Sequence, residues 1–329
     1  MPKAVGRTAL IADIGGTNVR FALSGADRKP DNISILACRD YPDLLSAAVA
    51  YLDEVAAADR PARGAFAIAC PVTGDHVQVT NLPWSFSIDA LRRQLGFETL
   101  DVVNDFTAIA HALPRLSAGD RQQVGGGTVH DRSPIAVLGP GTGLGVSALV
   151  PAGDEWAALE TEGGHVTLAA VNEREARIID ALRPQFGHVS AERLLSGPGL
   201  VNLYETLCAL AGIVAKPLTP DQVSEQGRGE PASPCGKAIE MFCAMLGTFA
   251  SNLALSLGAR GGVYIAGGIV PSLGNAFARS GFRGRFEEKG RFSAYLAKIP
   301  TFVIVHPHPA FVGLHAILDR KTPVRPSSK

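Results

Sequence analysis

The chain lacks most of the short patterns that assign a protein at once. It has five cysteines (Cys38, Cys70, Cys208, Cys235 and Cys243), far apart and with no Cys-x-x-Cys pair. That excludes a zinc knuckle or a dithiol redox motif, and leaves reduced, mostly buried thiols in a cytoplasmic protein as the expectation. Charge is scarce. Only 19% of the residues are Asp, Glu, Lys or Arg, and 31 basic side chains balance 31 acidic ones. No basic surface for nucleic acid is expected from such a balance. No Gly-x-x-x-x-Gly-Lys-Ser/Thr loop occurs, which excludes a Walker-type phosphate site. Residues 143–148 fit the looser Gly-x-Gly-x-x-Ala dinucleotide pattern. That pattern needs a helix to begin there, and Pro151 and Gly153 leave no room for one. The stretch 241–259 carries no charge, yet Gly247, Thr248, Ser251, Asn252, Ser256 and Gly258 interrupt it. A spanning helix needs about 20 predominantly apolar residues, so a helix buried in a globular core is expected, and no membrane partner. Residues 1–16 contain no long apolar segment and run straight into a strand pattern, unlike a secretory signal. His306-Pro-His308 has no third ligand in its neighbourhood and reads as a solvated loop rather than a metal pair.

What is present is a large apolar fraction, 46% of 329 residues, and 36 glycines. The first excludes disorder and allows one large or two ordinary domains. The second exceeds the usual ~7%, and the glycines collect in a few loops. Apolar runs predict strands over 8–14, 19–24, 33–39, 65–70, 76–80 and 100–104, with helices over 44–57, 88–95 and 105–113. After a polar, glycine-rich stretch, 117–133, the order begins again. Strands are expected over 135–139, 145–150, 156–160, 262–266 and 301–305, and helices over 173–186, 200–210, 237–257 and 311–320. Residues 219–234 read as a loop or a short exposed helix. Strands with intervening helices specify an α/β protein with largely buried sheets.

The two halves carry a weak repeat. Asp13-Ile-Gly-Gly-Thr-Asn-Val-Arg-Phe-Ala-Leu23 can be laid on Gly139-Pro-Gly-Thr-Gly-Leu-Gly-Val-Ser-Ala-Leu149. Each is a strand, a glycine turn carrying a threonine, and a second strand. Such a turn suits phosphate, because glycine lets the backbone approach closely and consecutive N–H groups converge on an anion. Thr17 and Thr142 can add hydroxyl donors. One such loop is also a plain tight hairpin. Two of them, with a third turn at Ala266-Gly-Gly-Ile269 after a buried strand, favour a nucleotide. Asp13 ends the first strand beside its loop. It is either a turn-forming residue or a partner for Mg²⁺, held through water because Mg²⁺ keeps several waters.

A second set of residues is polar. Asn104-Asp105 marks the junction of an apolar strand and a helix, where Asp105 is either an N-cap or a general base at a strand's carboxyl end, the usual place for ligands of α/β sheets. Glu162-Gly-Gly-His165 follows a strand and is not expected to be helical. Glu192 precedes another glycine turn. Any one of these could be a surface side chain. Together, acceptor-rich groups on loops suit a polyhydroxyl ligand, since each sugar hydroxyl both donates and accepts.

With these segments assembled, the chain resembles the bacterial ATP-dependent glucokinases outside the ROK branch. The matching segments are Ala12-Asp-Ile-Gly-Gly-Thr-Asn-Val-Arg20, Thr80-Asn-Leu-Pro-Trp-Ser-Phe-Ser87, Val103-Asn-Asp-Phe-Thr-Ala108 and Leu138-Gly-Pro-Gly-Thr-Gly-Leu-Gly-Val146. Glu162-Gly-Gly-His165, Glu192-Arg-Leu-Leu-Ser-Gly-Pro-Gly199, Ala266-Gly-Gly-Ile269 and Lys289-Gly-Arg-Phe292 follow in family order. The resemblance implies the two-domain actin-like ATPase (ribonuclease H-like) fold with an interdomain cleft. A small α/β domain would comprise 1–115 plus 306–329, and a large one 116–305. It implies transfer of the γ-phosphoryl group of MgATP to the 6-hydroxyl of glucose, the first step of glycolysis, in a cytoplasmic homodimer. Carried over residue by residue, Asp105 resembles the catalytic base, and Asn104, Glu162, His165 and Glu192 the ligands of glucose. Ala12, Asp13, Ile14, Gly15, Gly16 and Thr17 resemble one phosphate loop. Gly139, Gly141, Thr142 and Gly143 resemble the other, and Gly267 and Gly268 the turn beside the adenosine. Two rival outputs of the same fold are an actin- or Hsp70-like ATPase and a sugar sensor without turnover. ROK kinases carry a cysteine zinc motif that this chain lacks. One departure is visible, Pro309-Ala-Phe-Val-Gly313 in place of the family's Pro-Gly-Leu-Leu-Gly, which bears on the packing of the last helix.

Overall fold

Of the six residues Ala9–Ile14 only Asp13 is polar, and a strand of that composition has to be covered on both faces. The computed structural model describes residues 9–320, apart from 26–28, 57–59 and 81. It makes Ala9–Ile14 the middle strand of a five-stranded sheet. Thr8, Ala57 and Asn81, expected at a strand start, at a helix end and within the Trp84 segment, lie outside the described residues.

The described residues up to Leu116, with those from Pro307 onward, form one compact unit, and Ser117–His306 form another. In the first unit β1 (Ala9–Ile14) pairs antiparallel with β2 (Asn18–Ser24), and β2 with β3 (Pro30–Ala37). The third strand ends earlier than expected, because Cys38–Asp40 turns into a 3₁₀ helix. Helix α1 (Leu44–Val55) follows, and Asp43 caps it by accepting from the Ser46 N–H at 2.7 Å. β4 (Arg63–Ile68) pairs parallel with the other edge of β1. β5 (His76–Gln78) and β6 (Ser85–Ser87) make a separate hairpin, with Trp84 buried and its indole N–H donating to the Tyr41 carbonyl. After α2 (Ile88–Gln94), β7 (Thr99–Asn104) pairs parallel with β4 and leads into α3 (Asp105–Ala112).

The second unit repeats this plan. β8 (Arg121–Val124) comes first, then β9 (Ile135–Pro140), β10 (Leu144–Ala152) and β11 (Glu155–Glu160), paired antiparallel in succession from β9 to β11. Helices α4 (Glu173–Phe186), α5 (Gly197–Leu210), α6 (Pro220–Gly229) and α7 (Pro234–Leu257) follow. β12 (Val263–Ile265) then pairs parallel with β9. Four short helices, α8 (Ile269–Leu273), α9 (Asn275–Ala278), α10 (Phe282–Glu287) and α11 (Ser293–Ala297), precede β13 (Thr301–Ile304), which pairs parallel with β12. The order β11-β10-β9-β12-β13 has the same senses as β3-β2-β1-β4-β7 in the first unit, with β8 added at one edge. The repeat suspected from two glycine turns therefore extends over five strands in each unit.

Differences from the expected elements have local causes. β8 was hidden in a stretch read as irregular: its sequence, Arg-Gln-Gln-Val, has one apolar residue, and a strand paired on one edge only needs no more. The four helices between β12 and β13 span four to six residues each, too short for a 3.6-residue period to register. Phe282 and Phe286, both fully buried, anchor α10 against α7. α6 is a full helix, opened by the Thr219/Gln222 capping box with Pro220 in its first turn. α7 is long and apolar enough to cross a membrane by length and composition, but 72% of its most apolar window is buried inside its unit. All five cysteines are buried, and none is in a disulfide.

The C-terminal helix, Pro309–Leu318, is regular despite its departure from the family sequence, and Phe311 is buried. It packs on α3, where a Cβ on Gly313 would lie 1.7 Å from the Ala108 carbonyl oxygen. Only glycine permits that approach. Gly313→Ala is therefore expected to destabilise the unit by at least ~2 kcal/mol, within the range for overpacking. Gly284→Ala in α10, with nothing within 4 Å of its Cβ position, should be neutral or slightly stabilising. Urea unfolding of the two variants beside wild type measures both.

Candidate active site

In the first unit the candidate residues collect at the C-terminal ends of β1, β4 and β7, which run parallel. This is the edge at which open α/β sheets keep their ligands. β1 turns into β2 through Gly15, Gly16 and Thr17, closed by Gly15 N–H donating to the Asn18 carbonyl at 3.0 Å. Cys38 N–H donates to the Thr17 carbonyl at 2.9 Å and holds the turn from β3's end. Gly16 and Thr17 are exposed.

Asp13 lies opposite Arg20 in the hairpin register, and the two form an ion pair at 3.3 Å. Burial pushes the Asp13 carboxyl above its ordinary value, and Arg20, then His308, oppose that shift. Arg20 was quoted only as part of a motif. Its role could have been found, since a turn at 15–17 places residue 20 across from residue 13.

At the end of β7 the N-cap of α3 is Asn104, not Asp105. The Asn104 Oδ1 accepts from the Phe106 and Thr107 N–H groups at 2.9 and 3.3 Å, and its Nδ2 donates to the Cys70 carbonyl at 3.3 Å. Asp105 is the first helical residue, with Oδ1 also accepting from the Phe106 N–H at 2.9 Å. A helix N-terminus ordinarily favours a charged carboxylate. Here desolvation outweighs it, and together with the repulsion of Asp13 raises the Asp105 carboxyl to about 7. Capping thus falls to Asn104 rather than to Asp105.

The second unit gathers its candidates at the corresponding sheet edge. β9 and β10 are joined by Gly141, Thr142 and Gly143, with Gly141 N–H donating to the Gly143 carbonyl at 2.8 Å. The turn after β12 lies against this one. Gly267 has φ +82°, and a Cβ there would come within 2.3 Å of the Pro140 carbonyl oxygen, so no other residue fits. Gly268 follows in open space. Residues 163–165 form a single 3₁₀ turn rather than the non-helical loop expected, since the stretch is too short for an α-helix but long enough for two i→i+3 bonds, His165 N–H to the Glu162 carbonyl and Val166 N–H to the Gly163 carbonyl. The Glu162 and His165 side chains are 57% and 59% exposed and 3.8 Å apart, so their polar atoms face solvent. Glu192, half-buried, accepts from the Leu144 N–H at 2.9 Å. Nothing in the sequence signals that last contact, which joins residues 48 apart.

Among the described residues no group of three His, Cys, Asp or Glu side chains is arranged to hold a metal. A single strand-end carboxylate, Asp13, fits an ion that keeps its waters and comes with the phosphates. A surface pocket of about 480 Å³ between α4, α5 and α7, lined by Arg174, Arg177 and Lys237 among others, contains none of the candidate residues.

Comparison with known proteins places the chain in a family. The family model described as glucokinase matches residues 10–321. The chain is 55% identical over 310 residues to the glucokinase of Paramagnetospirillum magneticum, covering 94% of this chain and 97% of that one. It is 52% identical to the glucokinase of Aromatoleum aromaticum, with 94% of each covered. The crystal structure of a glucokinase from an Antarctic psychrotroph superposes with a TM-score of 0.85 at 36% identity, over 94% of this chain and 98% of that one.

The elevated Asp105 pKa has a consequence for stability. A carboxyl whose folded value lies above its unfolded one, near 3.8, opposes folding once it ionises. The cost is absent below about pH 4 and grows until the pH passes the folded value near 7. Asp105→Asn carries no charge, and its amide oxygen can still accept from Phe106. The variant should match wild type near pH 4 and exceed it at pH 8 by on the order of 4 kcal/mol, read from urea midpoints. A variant less stable than wild type at both pH values would contradict the desolvation.

Proposed function

The chain belongs to the glucokinase family, and on that premise we propose that it transfers the γ-phosphoryl group of ATP to the 6-hydroxyl of glucose. The observation that carries the mechanism is Asp105, a desolvated carboxyl titrating near 7 at the head of α3 and not consumed by capping. A general base works best when its pKa lies near the operating pH. The Asp105 carboxylate takes the proton of the 6-hydroxyl as that oxygen bonds to the γ-phosphorus. The bond from phosphorus to the bridging oxygen breaks, and ADP leaves. The remaining hydroxyls are taken by Asn104, Glu162, His165 and Glu192, of which Asn104 keeps one Nδ2 hydrogen after its bond to Cys70.

Phosphoryl transfer asks for positioning and charge stabilisation more than for covalent chemistry. The backbone N–H groups of 15–17 and 141–143, with the hydroxyls of Thr17 and Thr142, bind the phosphates, and Gly267-Gly268 admit the adenosine side of the nucleotide. Asp13 would hold Mg²⁺ through water, and the ion would supply neutralisation of the phosphate charge. Arg20, paired with Asp13, opposes the rise that burial gives its carboxyl. A cytoplasmic homodimer is proposed as well, on the family resemblance and, for the location, on five reduced and buried thiols.

A coupled assay of ADP release tests the reading. Wild type should release ADP only when glucose is present. Steady release without sugar would indicate an ATPase output, and glucose binding without any release a sensor. Asp105→Asn should fold and bind glucose while kcat falls by ~10²–10⁴, the usual loss on removing a general base. A folded variant with kcat within about threefold of wild type, far short of that loss, would rule Asp105 out as the base.

A further inference from the structure

Glu192 was singled out as a ligand of sugar hydroxyls, yet one of its oxygens is already in use. Oε2 accepts from the Leu144 N–H at 2.9 Å, at the point where the 141–143 turn enters β10. A Cβ on Gly143 would lie 2.6 Å from the same oxygen. The carboxylate therefore lies flat on the turn's backbone, in space that exists only because residue 143 has no side chain.

The segment that carries Glu192 braces the turn a second time. Ser196 Oγ donates to the Glu192 carbonyl at 2.7 Å and accepts from the Gly199 N–H at 3.1 Å, capping α5. The first N–H of that helix, from Gly197, donates to the Gly141 carbonyl at 2.8 Å. From the other side, the 163–165 turn packs on the same residue: a Cβ on Gly164 would fall 2.0 Å from the Leu144 carbonyl oxygen. Leu144 is thus a common support for the glycine turn, for Glu192 and for the turn bearing Glu162 and His165.

We propose that Glu192 is a positioning residue for the 141–143 phosphate turn as well as a sugar ligand, one carboxylate oxygen serving each. The inference rests on the reading of that turn as nucleotide-binding. Oε2 fixes the turn before nucleotide arrives, and Oε1 is the oxygen left for a hydroxyl. A turn held in its binding conformation loses less freedom on binding, which raises affinity. The sugar and nucleotide sites then share a mechanical element, although no atom of Glu192 is needed to touch the nucleotide.

The two roles separate by substitution. Glu192→Gln retains a carbonyl oxygen that can face the Leu144 N–H, and presents an amide NH₂ where the sugar met an acceptor. Glu192→Ala retains neither. Titration calorimetry of MgADP into the full-length protein without sugar is the deciding measurement. Loss of a hydrogen bond to a charged group predicts affinity about tenfold weaker in Glu192→Ala, whereas Glu192→Gln stays within about threefold of wild type, because the bond survives in neutral form. Glucose affinity falls in both. Gly143→Ala, which displaces the carboxylate without removing it, should weaken glucose binding although Gly143 is not a sugar ligand, and it serves also if Glu192→Ala does not fold. Equal MgADP affinity in wild type and folded Glu192→Ala overturns the positioning role, and unchanged glucose affinity in folded Gly143→Ala overturns the sharing of one carboxylate between turn and sugar. Absence of MgADP binding by wild type would instead overturn the nucleotide reading of the turn, and the positioning role with it.

Discussion

A carboxyl taken out of water at the end of a parallel strand is the constraint around which the first unit is arranged. Left alone, Asp105 would ionise near 3.8, and the start of a helix would favour its charge. Burial and the neighbouring Asp13 reverse this and move its titration to about 7. That environment is a product of the sheet. β1 and β7 flank β4 in parallel register, Asp13↔Ala67 and Ala67↔Val103, so both strand ends deliver an acidic residue to one edge. Two further side chains make the arrangement workable. Asn104 accepts from two of the first N–H groups of α3, and Arg20 holds Asp13. Gly313 allows the C-terminal helix to close against α3 from outside.

The second unit uses the same five-strand plan for a different purpose. Its first hairpin keeps the glycine turn but brings no acid to the strand end, since Pro140 stands where β1 has its terminal Ile14 and Gly139 where it has Asp13. Instead it receives support from below, through Glu192 and the start of α5. One copy of the repeat thus carries the proposed base, and the other the braced turn proposed for phosphate. Phosphoryl transfer needs both a proton acceptor and fixed N–H donors, and the proposed assignment divides them between the two copies of one motif.

Much of this was legible in the sequence because buried strands announce themselves as short apolar runs. The middle strands of both sheets, α1 after Pro42-Asp43, α4, α5 and the core helix α7 could all be placed to within a few residues. The hairpin repeat was visible in two glycine turns. What could not be read were elements defined by their neighbours: the edge strand β8, the hairpin strand β6, and the short helices α8 to α11, of which α10 is anchored by Phe282 and Phe286 in the core. The candidate site divides the same way. Asn104, Asp105 and the glycine turns stand out locally. The cap lies on Asn104 rather than Asp105 because Asn104 has the extended backbone that a cap requires, φ −61° and ψ 148°. The Glu192–Leu144 bond depends on chain segments far apart and has no local signature.

The claim that Asp105 accepts the hydroxyl proton is tested most directly by the pH dependence of kcat/KM for glucose at saturating MgATP. A base that must be ionised to work makes the rate rise tenfold per pH unit on the acid side and level off above its pKa. The account predicts a single ascending limb with its midpoint near 7, where burial and Asp13 have placed this carboxyl. A flat profile between pH 5 and 8, or a midpoint at the ordinary carboxyl value near 3.8, would contradict it.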